Sequence, residues 1–202
     1  IAQELLCDFQ ASGETFISQK EIEFLMMSIR NPVERWGPHN GVWVWKYATP
    51  GNRYVISADV ARGDGADFST FHVFDCTAAE VICEFKGKIP PDQFADLLIE
   101  ASRRYGDAII CPENNTYGYA VLMKLKEAGC KQIYFEKEKH RFDELYGNGG
   151  IGRAGFSMQT GSRAKILTKL EEVLRKGGLG LYSTRLVKEL KTFVWQKGKA
   201  QA

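Results

Sequence analysis

The chain has 202 residues, of which 44% are hydrophobic and 26% are charged, a composition typical of a globular protein. No apolar run approaches the ~20 residues that a membrane span requires, and the first residues lack the pattern of a signal peptide, so we expect no membrane partner. The five cysteines are odd in number and none has C-x-x-C spacing, which disfavours a zinc site or a disulfide framework and favours reduced thiols in a cytosolic compartment. Because the sequence does not begin with Met, we expect it to be part of a longer chain.

Charge is distributed unevenly along the sequence. Residues 1–123 carry ten Lys and Arg against seventeen Asp and Glu, a net charge of −7, whereas residues 124–202 carry seventeen against eight, a net charge of +9. An acidic half that can hold cations and a basic half that can hold a polyanion are typical of nucleic-acid-binding proteins. An ordinary basic surface would give the same asymmetry.

The N-terminal part predicts an entering segment followed by one helix. Apolar residues recur at helical spacing over residues 18–30, with Ser18 as the N-cap and Glu21 at the capping-box position. A loop rich in Pro and Gly ends this helix, and the alternating stretch VWVWKYA predicts a strand. We assign residues 1–50 to an N-terminal linker or entry segment with a helix, and residues 51–202 to the main domain.

The main domain begins with strands and then alternates helices with strands. RYVISADV, FSTFHVFDCT and AAEVICEFKG are joined by short turns, which predicts an antiparallel meander. A helix (PPDQFADLLIEASRRYG), a short buried strand (DAIICPE), a second helix (NTYGYAVLMKLKEAGC) and a strand (KQIYFEKE) follow. The order β-β-β-α-β-α-β predicts an α/β fold with a mixed sheet flanked by helices. It differs from the regular alternation of a Rossmann chain.

The C-terminal part contains a long basic segment and two further helices. Residues 137–161 read as a glycine-rich loop, followed by a helix (GSRAKILTKLEEVLRKGG) that ends at a glycine pair. LGLY predicts a short strand. STRLVKELKTFVW predicts a helix or a mixed segment, capped by Ser183 or Thr184.

Two carboxylates are predicted at the ends of neighbouring strands. Asp59 ends the first strand of the meander, and Glu113 ends the strand that follows the first crossover helix. An unpaired buried carboxylate is costly, so a positive group is expected beside them. If the first and fourth strands are neighbours, both acids project near one edge of the sheet. Carboxylates of this kind bind Mg²⁺ or Mn²⁺, and two such ions can activate water and stabilise a leaving oxygen in phosphodiester cleavage.

The sequence resembles the nuclease domain of the large terminase subunit of tailed bacteriophages. The resemblance covers essentially the whole chain and rests on QELLCDF, YVISADVARGDGADFSTFHVFD, AIICPENNTYGYAVLMKLKE and LVKELKTFVWQKGKAQA, in this order. It implies a fold of the ribonuclease H, resolvase and integrase type. It also implies that Asp59 and Glu113 are catalytic acids and metal ligands, and that Asp67 is an additional acid near the metals.

The resemblance implies an endonuclease that uses two Mg²⁺ or Mn²⁺ ions. Such an enzyme would cut double-stranded viral DNA with low sequence specificity during genome packaging in the host cytoplasm. The partners implied are a terminase ATPase domain, the small terminase subunit and the portal. No Walker A motif is present in the sequence. The family's third catalytic Asp follows the KTFVWQKGK region, and because no such motif precedes Ala202, this acid is expected from residues outside the sequence.

Several of these residues have plainer interpretations. Asp59 can cap the turn that follows its strand, Glu113 can be a surface acid, and Asp67 can stabilise an Asx turn. Asn115, or Thr116 beside it, is expected to cap the next helix rather than to contact DNA. His72 lies in mid-strand and is expected to be structural, and Arg62 and Asp64 are expected to be solvated turn residues.

The segment KEKHRFDELYGNGGIGRAGFSMQTGSRAK is the predicted DNA-binding region. Four of its cations are expected to contact backbone phosphates: Arg141, Arg153, Arg163 and Lys165. Ser162 and the amides that open the next helix could add an anion site. A flexible solvated loop is the alternative. Two other functions fit the sequence: a non-catalytic module that docks to DNA or to the portal, and a nucleotide-binding actin-like fold.

Overall fold

The computed structural model describes residues 14–136, 152–196 and 199–201. Its strands are β1 (Glu14–Thr15), β2 (Glu34–Trp36), β3 (Val42–Val44), β4 (Tyr54–Asp59), β5 (Ser69–Asp75), β6 (Glu80–Gly87), β7 (Ile109–Pro112), β8 (Phe135–Glu136), β9 (Arg153–Ala154), β10 (Gly180–Leu181), β11 (Val194–Gln196) and β12 (Lys199–Gln201). Its helices are α1 (Gln19–Ser28), α2 (Pro91–Arg104), α3 (Thr116–Glu127), α4 (Thr160–Arg175) and α5 (Thr184–Thr192), with a 3₁₀ turn at Pro38–Asn40.

The central sheet has the strand order β2-β3-β6-β5-β4-β7, and β10 pairs with β6 in parallel. β4, β5 and β6 form the predicted antiparallel meander, in which Asp59 is paired with Thr70 and Thr70 with Lys86. The chain then crosses through α2 and returns as β7, which is parallel to β4. The predicted element order is therefore confirmed, and so is the adjacency of the first and fourth strands of the main domain.

Two strands from the N-terminal part extend the same sheet. β2 and β3 are antiparallel, and β3 pairs with β6 on the side away from β4. The strand predicted from VWVWKYA is thus present as β3. The proposed division of the chain at residue 50 remains a prediction.

The sheet continues on its other side, beyond β7. Ile133 bridges Ile110 in parallel, and Phe156 bridges Glu113 in parallel. β8 and β9 form a short antiparallel pair next to this edge. The predicted loop over residues 137–161 is therefore wrong for its described part, in which β9 and Phe156 are in extended pairing. These residues satisfy backbone groups along an edge that would otherwise be unpaired.

The alternation of side chains along β4 separates the core from the candidate site. Tyr54, Ile56 and Ala58 are buried against α2 and α3, in a core that contains the rings of Phe71, Phe85 and Phe94. Asp59 points to the opposite face because successive side chains in a strand alternate. The carboxylate of Asp59 therefore lies outside the core, because it follows the buried side chain of Ala58 in this alternation.

A second apolar cluster joins α1, α4, α5 and β10. α1 begins as predicted, since Ser18 and Glu21 form a complete capping box, and α5 is capped by the Ser183 hydroxyl. None of the helices in the described part of the chain combines the length and the hydropathy required to cross a bilayer.

Candidate active site

Asp59 and Glu113 lie side by side at the carboxyl ends of two parallel strands. Ala58 is in register with Pro112, and the amide of Glu113 donates a hydrogen bond to the carbonyl oxygen of Ala58 over 2.9 Å. This bond fixes the backbone of Glu113 directly beside the end of β4. The structure thus brings together the two acids that the sequence singled out, through the strand pairing on which that expectation rested.

The site has an excess of negative charge. Burial is the largest contribution that raises the pKa of Glu113 above its ordinary value, and the charge of Asp59 raises the pKa further. The guanidinium of Arg163, at the start of α4, acts in the opposite direction but does not cancel these effects. Like charges that are held close together favour protonation or the binding of a cation. Arg163, which was predicted to contact DNA, therefore lies within electrostatic reach of the acids.

The turn between β4 and β5 forms one wall of a cleft of about 530 Å³ beside Asp59. The residues that line this cleft are Asp59, Val60, Ala61, Arg62, Gly65, Asp67, Phe68, Asn115 and Tyr117. Asp67 is exposed and shares the cleft with Asp59, which is compatible with its predicted position near the metals. Its role as a ligand stays a prediction.

Buried contacts hold this turn in place. The Ser69 hydroxyl is fully buried and accepts a hydrogen bond from the Ala61 amide over 3.0 Å. Gly63 has a φ of +94°, and a Cβ at this position would lie 2.4 Å from the carbonyl oxygen of Ile89. A non-glycine residue would therefore be strained and would clash with the backbone before α2. The glycine-rich composition of the turn is thus explained by close packing as well as by chain reversal.

Arg62 and Asp64 form an exposed bidentate pair at the rim of the cleft, with N···O distances of 2.5 and 2.7 Å. The hydrogen bond to Asp64 raises the pKa of Arg62, and Tyr117 also contributes. The expectation of solvated turn residues is confirmed. Sequence reasoning missed that Arg62 and Tyr117 line the cleft that contains Asp59. The signal available for Arg62 was its position three residues after that acid.

The asparagines after Glu113 have structural roles. The Asn115 side chain accepts a hydrogen bond from the Gly118 amide over 2.8 Å and caps α3, as predicted. The Asn114 side chain donates to the carbonyl oxygen of Ala154 over 2.7 Å and thereby ties this loop to β9. His72 lies 3.6 Å from the buried Glu84 carboxylate, in agreement with a structural role.

The predicted DNA-binding residues are distributed over different parts of the surface. Arg163 and Lys165 are exposed in the first two turns of α4, and Arg153 is exposed on β9, where it borders an apolar groove. Arg141 lies outside the described residues. The Ser162 hydroxyl accepts a hydrogen bond from the Gln159 amide, and its single proton is within reach of the carbonyl oxygens of Gln159 and Ser157, so it caps its helix instead of forming an open anion site.

The described acids do not complete a metal site by themselves. Within residues 14–136, 152–196 and 199–201, no three His, Cys, Asp or Glu side chains come together in a group that could hold a metal ion. Asp59 and Glu113 therefore form a pair. The expectation that a third acid comes from other residues stays a prediction.

Comparison with solved structures identifies the same architecture in phage nuclease domains. The magnesium-bound large terminase nuclease of the thermophilic phage G20c superposes with a TM-score of 0.65 at 19% identity, covering 92% of this chain and 83% of that one. The cobalt-bound form gives a TM-score of 0.65 at 19% identity, covering 95% and 86%. The large terminase nuclease domain of Thermus phage P74-26 gives 0.61 at 18% identity, covering 90% and 82%.

This chain has the ribonuclease H-like fold of large-terminase nuclease domains. The resemblance read from the sequence is thereby confirmed at the level of the fold. No protein-family model and no curated protein matches the sequence. At such low identity the fold alone is established, and the function must be argued from the site.

Proposed function

We propose that this chain is the nuclease domain of a viral packaging enzyme, and that it cuts double-stranded DNA with divalent metal ions. The observation that carries the proposal is the pairing of Asp59 with Glu113 at the ends of β4 and β7, next to an open cleft. The magnesium- and cobalt-bound G20c nucleases, which share this fold, support it. The proposed cofactors are two Mg²⁺ or Mn²⁺ ions.

The residues present fit a divalent cation. Two adjacent carboxylates supply the hard oxygen ligands that Mg²⁺ and Mn²⁺ prefer. Burial, and then the charge of Asp59, raise the pKa of Glu113, so a bound cation would stabilise its ionised form. When bound, such ions would supply an activated water and positive charge at the reacting phosphate. Asp59 and Glu113 would hold them, with Asp67 as a further group at the cleft.

Positive side chains around the acids would position the DNA. Arg163 approaches Glu113, and Arg62 lies at the rim of the cleft. Guanidinium groups bind phosphate through planar, bidentate hydrogen bonds, so Arg163 is suited to contact the backbone near the cut. Arg62 would first have to exchange its bidentate pairing with Asp64 for a phosphate. Contacts to phosphate carry no sequence information, which supports low sequence specificity.

The test is incubation of supercoiled plasmid with the full-length natural protein in Mn²⁺, in Mg²⁺ and in EDTA. The proposal predicts nicked and linear products with either metal, with cuts at many positions, and an intact plasmid in EDTA. An intact plasmid in all three conditions, from protein shown to be folded, would contradict it. That result would favour the alternative of a module that docks to DNA, or to a portal, without cutting.

The actin-like alternative makes a different prediction. It requires nucleotide binding, which isothermal titration of the same protein with ATP and Mg²⁺ would detect. The proposed nuclease domain is expected to bind the metal and to show no saturable heat with the nucleotide beyond that of the metal alone.

A further inference from the structure

A basic groove lies on the sheet on the side of β6 away from the acids. It has a volume of about 380 Å³ and lies between the turn before β3 and the connection from β6 to α2. Its basic side chains are those of Arg35, His39, Lys86, Lys88 and Arg185. No carboxylate is among the described residues that line it.

Aromatic rings hold the cations of the groove in place. The guanidinium groups of Arg35 and Arg185 lie 4.5 and 3.8 Å from the centre of the Trp43 ring. The ammonium groups of Lys86 and Lys88 lie 4.9 and 5.0 Å from the centre of the Phe68 ring. Cation–π contacts restrict these side chains without neutralising them, and therefore their charge stays available to an anion.

Two of the four permanent charges are already compensated, and two are not. Lys86 pairs with Glu189, and Arg185 pairs with the buried Glu84 over 2.6 Å. Among the residues that the structure describes, neither Arg35 nor Lys88 has a carboxylate partner, and both are exposed. These two residues are the ones positioned to bind an external anion.

The groove lies close to the candidate active site. Asp59 is in register with Thr70 and Thr70 with Lys86, so Lys86 lies two strands from Asp59 on the same face of the sheet. Two strand spacings amount to about 10 Å. Phe68 lines the cleft beside Asp59 and also contacts the lysines of the groove. The advance of about 3.4 Å per nucleotide along a DNA strand places Lys86, on the near side of the groove, about three nucleotides from the acids. Arg35, on β2, lies two further strands away.

We propose that this groove binds the phosphate backbone of DNA on one side of the cleavage position, with Arg35 and Lys88 as its phosphate ligands. The proposal rests on the proposed nuclease function for its substrate. It assigns to the β2–β3 extension of the sheet a role in holding DNA. The predicted basic segment around α4 would contact the duplex elsewhere.

Binding of a short fluorescein-labelled duplex to the full-length protein tests this assignment. Fluorescence anisotropy in EDTA reports binding without cleavage, over about 50 to 200 mM salt. Each phosphate contact contributes about 0.9 to the salt slope and about fivefold in affinity at 150 mM salt. The double variant Arg35→Gln/Lys88→Gln is therefore expected to bind about 30-fold more weakly, with a salt slope reduced by about two.

Two control variants separate a specific contact from a general loss of charge or of folding. Lys20→Gln/Lys131→Gln removes the same charge from exposed positions outside the groove and is expected to bind within about twofold of the wild type. Arg35→Lys/Lys88→Arg keeps the charge and should restore most of the affinity. Equal losses in the two neutralised variants would overturn the proposal. A second outcome would also overturn it. If polyglutamate binds the wild type but not Arg35→Gln/Lys88→Gln, and the two proteins bind DNA with equal affinity, the groove is a site for an acidic protein partner.

The result is separable from the test of nuclease activity. If the wild type binds DNA without cutting plasmid, and Arg35→Gln/Lys88→Gln binds DNA more weakly than the wild type, the groove is a DNA site and the nuclease proposal fails. If the wild type cuts and the groove variant binds DNA with unchanged affinity and salt slope, the nuclease proposal stands and the groove assignment fails.

Discussion

Gly118 lies where an added methyl group would press on the backbone of the candidate site. It is the third residue of α3, five positions after Glu113. A Cβ at this position would lie 1.8 Å from the carbonyl oxygen of Glu113. Carbon and oxygen atoms in contact are separated by about 3.3 Å or more, so either the helix or the Glu113 peptide must move by about 1.5 Å. The substitution Gly118→Ala therefore displaces the segment that positions the acid.

The expected effect on activity exceeds the effect on stability. Overpacking of this kind costs about 1–3 kcal/mol, and the higher helix propensity of Ala offsets up to about 1 kcal/mol of it. Displacement of a catalytic group by about 1 Å can lower a rate by about 100-fold. We therefore predict that Gly118→Ala lowers the unfolding free energy by about 1–2 kcal/mol and the rate of metal-dependent plasmid cleavage by about 100-fold.

Urea unfolding and plasmid cleavage in Mn²⁺ measure these two quantities. Gly161→Ala is the matched control, since Gly161 also lies in the first turn of a helix but a Cβ there would meet no atom within 4 Å. This control is expected to retain full activity and equal or slightly higher stability. If Gly118→Ala cuts DNA as fast as Gly161→Ala, the contact with Glu113 does not position the acid and the reasoning is refuted.

Three further predictions concern stability. Arg185→Met removes the guanidinium that pairs with the buried Glu84 carboxylate and should lower the unfolding free energy by about 3–5 kcal/mol, measured by urea denaturation; a loss below about 1 kcal/mol would show that His72 and Ser183 stabilise the carboxylate without it. Burial would raise the pKa of Asp75, but hydrogen bonds from two backbone amides and a side-chain amide outweigh it and lower the pKa. The stability that Asp75 contributes is therefore complete above about pH 4, its pKa in the unfolded chain, and is lost as the pH falls through its lower pKa in the folded chain. Urea denaturation at several pH values should show that the unfolding free energy of Asp75→Asn depends less on pH in this range. Ser18→Ala removes the capping box of α1 and should lower the melting temperature, at a cost of about 1 kcal/mol, whereas an unchanged melting temperature would show that the cap contributes little.

The carboxylate pair could be predicted from the sequence because it depends on local signals and on one topological rule. The apolar run of β4 ends at Asp59, and short turns require the meander that follows. A helix after the meander returns the chain in parallel, and the carboxyl ends of neighbouring parallel strands meet at one edge. The helix caps at Ser18, Asn115 and Ser183 followed equally from local hydrogen-bonding preference.

The basic groove could not be predicted, because it depends on register between strands that are distant in sequence. Arg35 and Lys88 line one groove only because β2 pairs with β3 and β3 pairs with β6, and Trp43 and Phe68 contact their side chains. Neither residue lies in the basic C-terminal half on which the charge argument relied. The pairing of Phe156 with Glu113 was missed for a related reason, since a glycine-rich segment gives little indication of the edge that it will cover.

Metal-dependent cleavage by Asp59→Asn decides whether the β4–β7 carboxylate pair cuts DNA. The full-length variant, its wild type and the control Asp96→Asn, which removes an exposed carboxylate from α2, would be incubated with supercoiled plasmid in Mn²⁺. Duplex binding in EDTA would confirm that each protein still recognises DNA. We expect wild type and Asp96→Asn to cut the plasmid, and Asp59→Asn to bind DNA but leave the plasmid intact. Cleavage by Asp59→Asn at the wild-type rate would contradict the assignment of the β4–β7 carboxylate pair as the catalytic centre.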